Sequence, residues 1–186
     1  MFFIYSTKTK YQLTSRETKD EDGNYVTSQS AMVIIDHTTG YVVGTVGGLG
    51  EKTTSFGLNR ATQSTRQTGS SMKPLAVLVP GIDSGIITAA SVFDDVPTRF
   101  GSYNPGNYNF YKGLETVRYA IETSQNIPMV KAQQQIGIPT TMEYLKKMGI
   151  TTINEEGDNY LGLALGGLTN GVTPLEMAVA YGTIAN

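Results

Sequence analysis

Apolar residues alternate with polar ones near the start of this chain and recur at helical spacing through most of the rest. Alternation over residues 27–36 and 41–46 predicts two strands joined by a turn at Gly40. The only histidine, His37, lies between these runs, so its position favours a role in the turn over a role as a general base. The first structured part of the chain is therefore predicted to be a hairpin.

Helical spacing dominates after the hairpin and predicts helices over residues 70–79, 86–92, 114–122, 127–135, 140–147 and 174–184. Pro80-Gly81 predicts the end of the first of these helices. Thr140 with Glu143, and Thr173 with Glu176, have the spacing of capping boxes that begin helices. The pattern predicts an α+β fold, with further sheet strands expected after residue 186.

Three polar stretches are predicted to be irregular: the charged run 16–23, the Thr- and Ser-rich run 53–69, and residues 94–111. Asp94 and Asp95 open the last stretch. Because neighbours in sequence point apart, we interpret this carboxylate pair as the start of a loop and not as an acid–base pair.

Composition narrows the possible functions. Apolar residues make up 39% and charged residues 16%, as in ordinary globular chains, and the net charge of −2 gives no electrostatic reason to expect nucleic acid. The absence of cysteine excludes a disulfide framework and a thiolate nucleophile. No apolar run reaches the roughly 18 residues of a membrane span.

The strongest chemical signal is Ser70-Ser71-Met72-Lys73, the only Ser-x-x-Lys in the chain. A serine hydroxyl needs a nearby group to take its proton before it can act as a nucleophile. Positions three apart share one face of a helix, so Lys73 can reach Ser70 but not Ser71. Gly69 suits a tight entry turn, and the following apolar run predicts a buried helix. Ser70 is therefore a candidate nucleophile and Lys73 its base.

A second motif, Ser124-Gln125-Asn126, follows the helix predicted over residues 114–122. Ser-x-Asn alone carries almost no information, because it is the ordinary composition of helix caps and turns. Together with an upstream Ser-x-x-Lys it matches the motif pair of penicillin-binding proteins and serine β-lactamases.

These motifs and their surroundings resemble the transpeptidase domain of class A, or bifunctional, penicillin-binding proteins. The resemblance extends from about residue 30 to residue 186, and five segments carry it in order: 31–48, 59–70, 104–108, 163–167 and 171–186. It implies a domain boundary near residue 25, with residues 1–24 as a linker or edge segment and 25–186 as the transpeptidase domain without its C-terminal strands.

The resemblance implies a serine acyltransferase that cross-links peptidoglycan stem peptides ending in D-Ala-D-Ala and that β-lactams acylate. Ser70 is then the nucleophile and Lys73 the base. Asn126 would hydrogen-bond the lysine and the substrate amide, and Ser124 would relay a proton. No metal or organic cofactor is implied, nucleic acid is not an expected partner, and the bacterial parent would act at the extracellular face of the cell membrane.

One family motif is missing. The family carries Lys-Thr-Gly or Lys-Ser-Gly on a strand that lines the cleft, and neither occurs here. Loss of a single oxyanion donor lowers rates by about 10²–10³. We therefore expect the chain to be inactive alone, with the missing strand supplied by a second chain or by a continuation of this one.

Two alternatives to the transpeptidase stay open from the sequence. A serine β-lactamase uses the same pair of motifs but adds a base that activates water for deacylation. A non-catalytic β-lactam sensor or partner-binding domain would be acylated without releasing D-Ala from peptides. The apolar helical signature over residues 163–186 favours the transpeptidase over the β-lactamase.

Overall fold

A computed structural model describes residues 2–5, 18–19, 25–26, 29–49 and 55–185. The chain divides into two units, residues 1–65 with 173–186 and residues 66–172. Helices and small antiparallel sheets make up both units, so the predicted α+β class is confirmed. Within the described residues, no helix combines the length and the apolar character that crossing a membrane requires.

Seven strands and six α-helices lie in the described residues. The strands are β1 (Phe2–Tyr5), β2 (Thr18–Lys19), β3 (Tyr25–Val26), β4 (Ala31–Ile35), β5 (Val42–Val46), β6 (Val92–Asp95) and β7 (Gly113–Thr116). The helices are α1 (Arg60–Gln63), α2 (Val79–Asp83), α3 (Val117–Glu122), α4 (Ile127–Ile136), α5 (Ile138–Lys147) and α6 (Pro174–Ala185). Shorter helical turns span Gly69–Met72, Pro74–Leu78 and Leu161–Leu165.

The first unit is built on an antiparallel sheet in the order β1-β4-β5. Strands β4 and β5 form the predicted hairpin, with Asp36 Oδ1 accepting a hydrogen bond from the Thr38 N–H at 3.0 Å in its turn. Alternate side chains of β4 are buried, and they form a core with α1 and α6: Ala31, Val33, Ile35, Ala61 and Ala178. Residues 27–28 of the predicted first strand lie outside the described residues.

Two further predictions fall in this unit. The capping box at the start of α6 is confirmed, because Thr173 Oγ1 accepts from the Glu176 N–H at 3.2 Å and Glu176 Oε2 accepts from the Thr173 N–H at 3.0 Å. The loop predicted over 16–23 is wrong at Thr18 and Lys19, which pair with β3 as a short antiparallel ladder. The other residues of that run lie outside the described residues.

The second unit begins with a continuous helical course from Gly69 to Asp83. A 3₁₀ turn, Gly69–Met72, leads into a π-helical turn, Pro74–Leu78, and then into α2. The prediction that Pro80-Gly81 ends this helix is wrong. Pro80 cannot donate to the Ala76 carbonyl four residues earlier, and that carbonyl accepts instead from Thr141 Oγ1 at 2.9 Å, so the helical course continues to Asp83.

Two other helix predictions in this unit are wrong, the one over 86–92 entirely and the one over 114–122 in part. Residues 86–91 form a turn in which the Thr88 N–H donates to Ser91 Oγ at 2.9 Å, because serine and threonine side chains compete with helical bonds. The predicted helix over 114–122 begins as strand β7 and becomes helical only at Val117, where the Thr116 hydroxyl caps α3. Strand β7 pairs with β6, so the predicted loop at Asp94 and Asp95 is also strand.

Helices α4 and α5 form the core of the second unit. Their buried polar residues are paired: Gln133 Nε2 donates to Thr141 Oγ1 at 2.7 Å, and that hydroxyl donates to the Ala76 carbonyl at 2.9 Å. Helix α4 has nearly the predicted bounds. Helix α5 begins at Ile138, directly after Gly137, so the predicted capping box at Thr140 is wrong and Thr140 lies inside the first turn.

Candidate active site

Ser70 lies in the 3₁₀ turn that opens the helical course, and its side chain is exposed. Gly69 adopts a left-handed conformation with φ 55°, which lets the chain enter the turn sharply. The Lys73 N–H donates to the Ser70 carbonyl, so both residues belong to the same helical turn. The structure therefore places the candidate nucleophile at the surface, one turn before the candidate base.

The Lys73 side chain is completely buried, with 0% of its surface exposed. Its ammonium nitrogen donates to the Ser124 carbonyl at 2.6 Å, to Ser124 Oγ at 3.1 Å and to Asn126 Oδ1 at 2.7 Å. An ammonium group has three N–H donors, and these contacts occupy all three of them. The two sequence motifs thus meet at one nitrogen atom.

Burial lowers the pKa of Lys73 from 10.5 to about 8. Moving a charged amine out of water disfavours its protonated form, and here the three acceptors are neutral oxygens that restore only part of that loss. A lysine with such a pKa is partly neutral near physiological pH. It can therefore accept a proton, as a general base must.

Ser124 has an unusual backbone conformation. Its φ of 57° is left-handed, which is uncommon for a residue with a side chain. The Ser124 N–H donates to the Ile121 carbonyl at 3.2 Å, and the Gln125 N–H donates to the Ala120 carbonyl at 2.8 Å. This pair of bonds is the Schellman motif, which normally has glycine at the left-handed position. The end of α3 thus holds a serine in a strained conformation against Lys73.

Asn126 stands at the N-cap position of α4, but its side chain makes no capping bond to the helix. Instead Oδ1 accepts from Lys73, and Nδ2 donates to the Gly106 carbonyl at 2.6 Å. Asn107 binds two backbone N–H groups at the start of α4, because its Oδ1 accepts from Asn126 N at 2.8 Å and from Ile127 N at 3.2 Å.

Two residues near the site were missed by the motif search. Asn107 Nδ2 donates to both oxygens of Asp95, at 2.7 and 2.9 Å, and the Asp95 side chain is 0% exposed. Asn107 falls within a segment that carries the family resemblance, but no role was assigned to it. Recognising β6 as a strand would have predicted that Asp95 points inward while Asp94 points out.

A second buried carboxylate lies close to Asp95. Both carboxylate oxygens of Glu115 are buried without a hydrogen-bond partner in the structure that is described. Burial, and then the negative charge of Asp95, raises the pKa of Glu115. Among the described residues, no group of three His, Cys, Asp or Glu side chains is placed to hold a metal ion.

The turn that carries Ser70 packs closely against Gly166. A Cβ atom added at Gly166 would lie 2.3 Å from the Gly69 carbonyl oxygen and 2.5 Å from Thr68 Oγ1. Gly166 also has a left-handed φ of 77° at the end of the Leu161–Leu165 turn. Only glycine meets both requirements, which gives a physical reason for glycine at position 166.

The chain matches proteins of one family. A sequence profile of the penicillin binding protein transpeptidase domain matches residues 30–186. Penicillin-binding protein 1F of Bacillus subtilis is 40% identical over 179 residues, which cover 96% of this chain and 24% of that protein. Penicillin-binding protein 1A of Clostridium tetani is 37% identical over 183 residues, which cover 90% of this chain and 23% of that protein.

Solved structures agree with the sequence relatives. The crystal structure of penicillin-binding protein 1A from Haemophilus influenzae superposes with a TM-score of 0.75 at 30% identity. The match covers 90% of this chain and 26% of that one. The chain thus spans about a quarter of the length of the relatives it matches, and the predicted resemblance to class A penicillin-binding proteins is confirmed.

Proposed function

The chain belongs to the penicillin-binding protein transpeptidase family, and we propose that it carries the nucleophile and the base of a D,D-transpeptidase. The substrates would be peptidoglycan stem peptides that end in D-Ala-D-Ala. One observation carries this proposal. Lys73 lies one helical turn after the exposed Ser70 and is fully buried, with its pKa lowered to about 8. Its side-chain nitrogen contacts Ser124 and Asn126.

The first half-reaction would form an acyl-enzyme. Ser70 Oγ attacks the carbonyl carbon of the penultimate D-Ala, and neutral Lys73 Nζ takes the hydroxyl proton. The tetrahedral intermediate then collapses, the peptide bond to the terminal D-Ala breaks, and the leaving nitrogen receives a proton through Ser124 Oγ. Terminal D-Ala departs, and the stem peptide remains esterified to Ser70.

The contacts of Lys73 support this division of roles. Neutral Nζ keeps two N–H groups and one lone pair, and the shortest contacts, to the Ser124 carbonyl and Asn126 Oδ1, can hold both N–H groups. The lone pair then faces Ser124 Oγ at 3.1 Å, and the Ser70 hydroxyl would displace this longest of the three contacts when it gives up its proton. Ser124 Oγ, 3.1 Å away, can exchange a proton with the same nitrogen. Lysine and serine thus form a short path for the proton that Ser70 gives up.

The second half-reaction would transfer the acyl group to an amine of a neighbouring stem peptide. The amine attacks the ester carbon, its proton passes to Lys73, and Ser70 Oγ leaves and recovers a proton. A β-lactam has the same acylating carbonyl in a strained ring, so it would acylate Ser70 and leave a stable adduct. Asn126 Nδ2 donates one of its two N–H groups to the Gly106 carbonyl here, and the second would donate to the carbonyl oxygen of a bound substrate amide.

The backbone N–H of Ser70 would supply one half of the oxyanion hole. The other half would come from the Lys-Thr-Gly strand of the family, on another chain or on a continuation of this one. We place the reaction at the extracellular face of the bacterial membrane, where peptidoglycan lies.

Intact mass after incubation with a fluorescent penicillin tests the proposal. The parent is compared with Ser70→Ala, both as this chain alone and as a longer chain that continues through a Lys-Thr-Gly strand. The form that reacts is called the acylation-competent chain below. We expect an adduct of one penicillin that is lost in Ser70→Ala. Absence of an adduct in both forms would contradict the proposal.

The lifetime of the adduct distinguishes the alternatives. A transpeptidase holds the penicilloyl ester for many minutes, whereas turnover within seconds would identify a β-lactamase. A stable adduct without release of D-Ala from a D-Ala-D-Ala peptide by the longer chain would identify a sensor domain. Release of D-Ala that depends on Ser70 supports the transpeptidase.

A further inference from the structure

We infer that Asp95 and Asn107 are positioning residues for the catalytic lysine. The Asp95 carboxylate sets the orientation of the Asn107 side-chain amide, and Asn107 in turn keeps the Asn126 side chain available to Lys73. The inference rests on the proposed function of the Ser70 site. It adds two residues that lie outside both sequence motifs.

The Asn107 amide has one favourable orientation. Its nitrogen donates to both Asp95 oxygens, and its oxygen accepts from the backbone N–H groups of Asn126 and Ile127. Turned by 180°, the NH₂ group would face two N–H donors, and the oxygen would face a carboxylate. All four hydrogen bonds would be lost, so the acceptor at position 95 decides how Asn107 points.

Asn107 replaces Asn126 as the side-chain cap of α4. An asparagine at the N-cap position normally accepts with its side-chain oxygen from the N–H of the second or third helical residue, and here the second is Pro128, which has no N–H. Asn126 occupies that position, yet its Oδ1 is turned to Lys73, and Asn107 Oδ1 satisfies the start of the helix. Without Asn107 in its present orientation, the Asn126 and Ile127 N–H groups would lose their acceptor, and the backbone that aims Asn126 Oδ1 at Lys73 would lose the hydrogen bonds that fix it.

Asp95 is fixed firmly enough to set this arrangement. It ends strand β6, where it is paired with Gly113, and its Oδ2 also accepts from the Lys112 N–H at 2.9 Å. The side chain has no exposed surface. Both of its oxygens accept from N–H donors. The Asn107 amide is therefore held at its nitrogen by Asp95 of β6 and at its oxygen by the start of α4.

The test is the acylation kinetics of Asp95→Asn in the acylation-competent chain. Time courses at several penicillin concentrations separate the non-covalent dissociation constant from the acylation rate constant. We expect the rate constant to fall by about 10- to 100-fold, because the base is misplaced, while the dissociation constant stays at its parental value. Asp94→Asn is the matched control, since the exposed Asp94 side chain lies outside the network and its rate constant should not change.

A reciprocal exchange, Asp95→Asn with Asn107→Asp, keeps the inference testable if the single variant unfolds. The amide introduced at position 95 can then donate to the carboxylate introduced at position 107, and that carboxylate can still accept from the start of α4. Recovery of the rate constant toward the parental value supports the positioning role. Loss of folded protein alone would lower the acylated fraction and leave the rate constant of the folded fraction unchanged.

Two results would overturn the inference. One is a parental rate constant in folded Asp95→Asn, and the other is a folded exchange variant no faster than the single variant. A parent chain that forms no Ser70 adduct contradicts the proposed function before any variant is compared. The two failures are therefore distinguishable.

Discussion

Lys73 Nζ lies 2.6 Å from the backbone carbonyl oxygen of Ser124, which is 51 positions further along the chain. Because the acceptor is a main-chain atom, no side-chain substitution at position 124 removes it directly. The left-handed turn at Ser124 aims this carbonyl and the serine hydroxyl at the same nitrogen. Backbone conformation at the end of α3 thus contributes to the environment of Lys73.

The acylation rate should depend on pH through Lys73. The pKa of about 8 means that the neutral, proton-accepting form increases as the pH rises through that value. We expect the acylation rate constant of the acylation-competent chain to rise between about pH 6.5 and 9 with a midpoint near 8, from stopped-flow measurements with a fluorescent penicillin. Lys73→Arg is the control, since guanidinium stays charged. A flat profile for the parent would contradict the assignment of Lys73 as base.

Lys73→Met should change how stability depends on pH. The pKa of Lys73 is lower in the folded chain than its ordinary value of 10.5, so the unfolded chain binds more protons between about pH 8 and 10.5. The resulting penalty on folding is full below pH 8 and disappears as the pH rises through that window. Relative to Lys73→Met, the parent should gain up to about 3 kcal/mol of unfolding free energy across it.

Urea denaturation at about pH 7 and about pH 10, followed by circular dichroism, measures the difference in unfolding free energy between the parent and Lys73→Met. Lys73→Met also leaves the Ser124 carbonyl and Asn126 Oδ1 without a donor, but that loss does not depend on pH. An equal free-energy difference at both pH values would show that folding does not lower the pKa of Lys73.

Substitutions at Ser124 should separate stability from activity. A side chain in the left-handed region costs about 1 kcal/mol, which glycine avoids. We expect Ser124→Gly to be more stable than Ser124→Ala by about that amount in urea denaturation. Both variants lack the hydroxyl that contacts Lys73 at 3.1 Å, so both should release D-Ala more slowly than the parent. Equal stability of the two variants would argue against the strained turn.

Gly166→Ala should slow acylation by displacing the turn that carries Ser70. The added methyl carbon would lie 2.3 Å from the Gly69 carbonyl oxygen, so the turn or the Leu161–Leu165 segment must move. We expect a fall in the acylation rate constant of at least about tenfold. Gly85→Ala is the matched control, because Gly85 has a similar φ of 71° and nothing within 4 Å of the added carbon.

Stability measurements complete this comparison. Both alanine variants place a side chain in the left-handed region and should lose about 1 kcal/mol for that reason. Only Gly166→Ala should also have a lower acylation rate constant. If both glycine variants acylate at the parental rate, the close packing against Gly69 does not position the nucleophile.

Local patterns predicted those parts of the fold that local interactions stabilise. Alternation gave the β4–β5 hairpin, and the Thr173–Glu176 spacing gave the start of α6 with its reciprocal hydrogen bonds. The helix predicted over 86–92 failed because the Thr88 and Ser91 side chains bond the backbone locally. Strand β7 was missed because its partner, β6, lies about twenty residues earlier and was itself interpreted as a loop.

The sequence by itself determined the candidate pair Ser70 and Lys73, since three-residue spacing on one helical turn is a local property, and it determined the family through ordered motifs. Only the tertiary structure decided that Lys73 is buried and that Ser124 and Asn126 surround its nitrogen. It also decided that Asp95 is connected to Asn126 by the hydrogen bonds of Asn107. Burial and long-range hydrogen bonds depend on how distant segments pack. The pKa of the base is therefore a property of the folded chain and not of any motif.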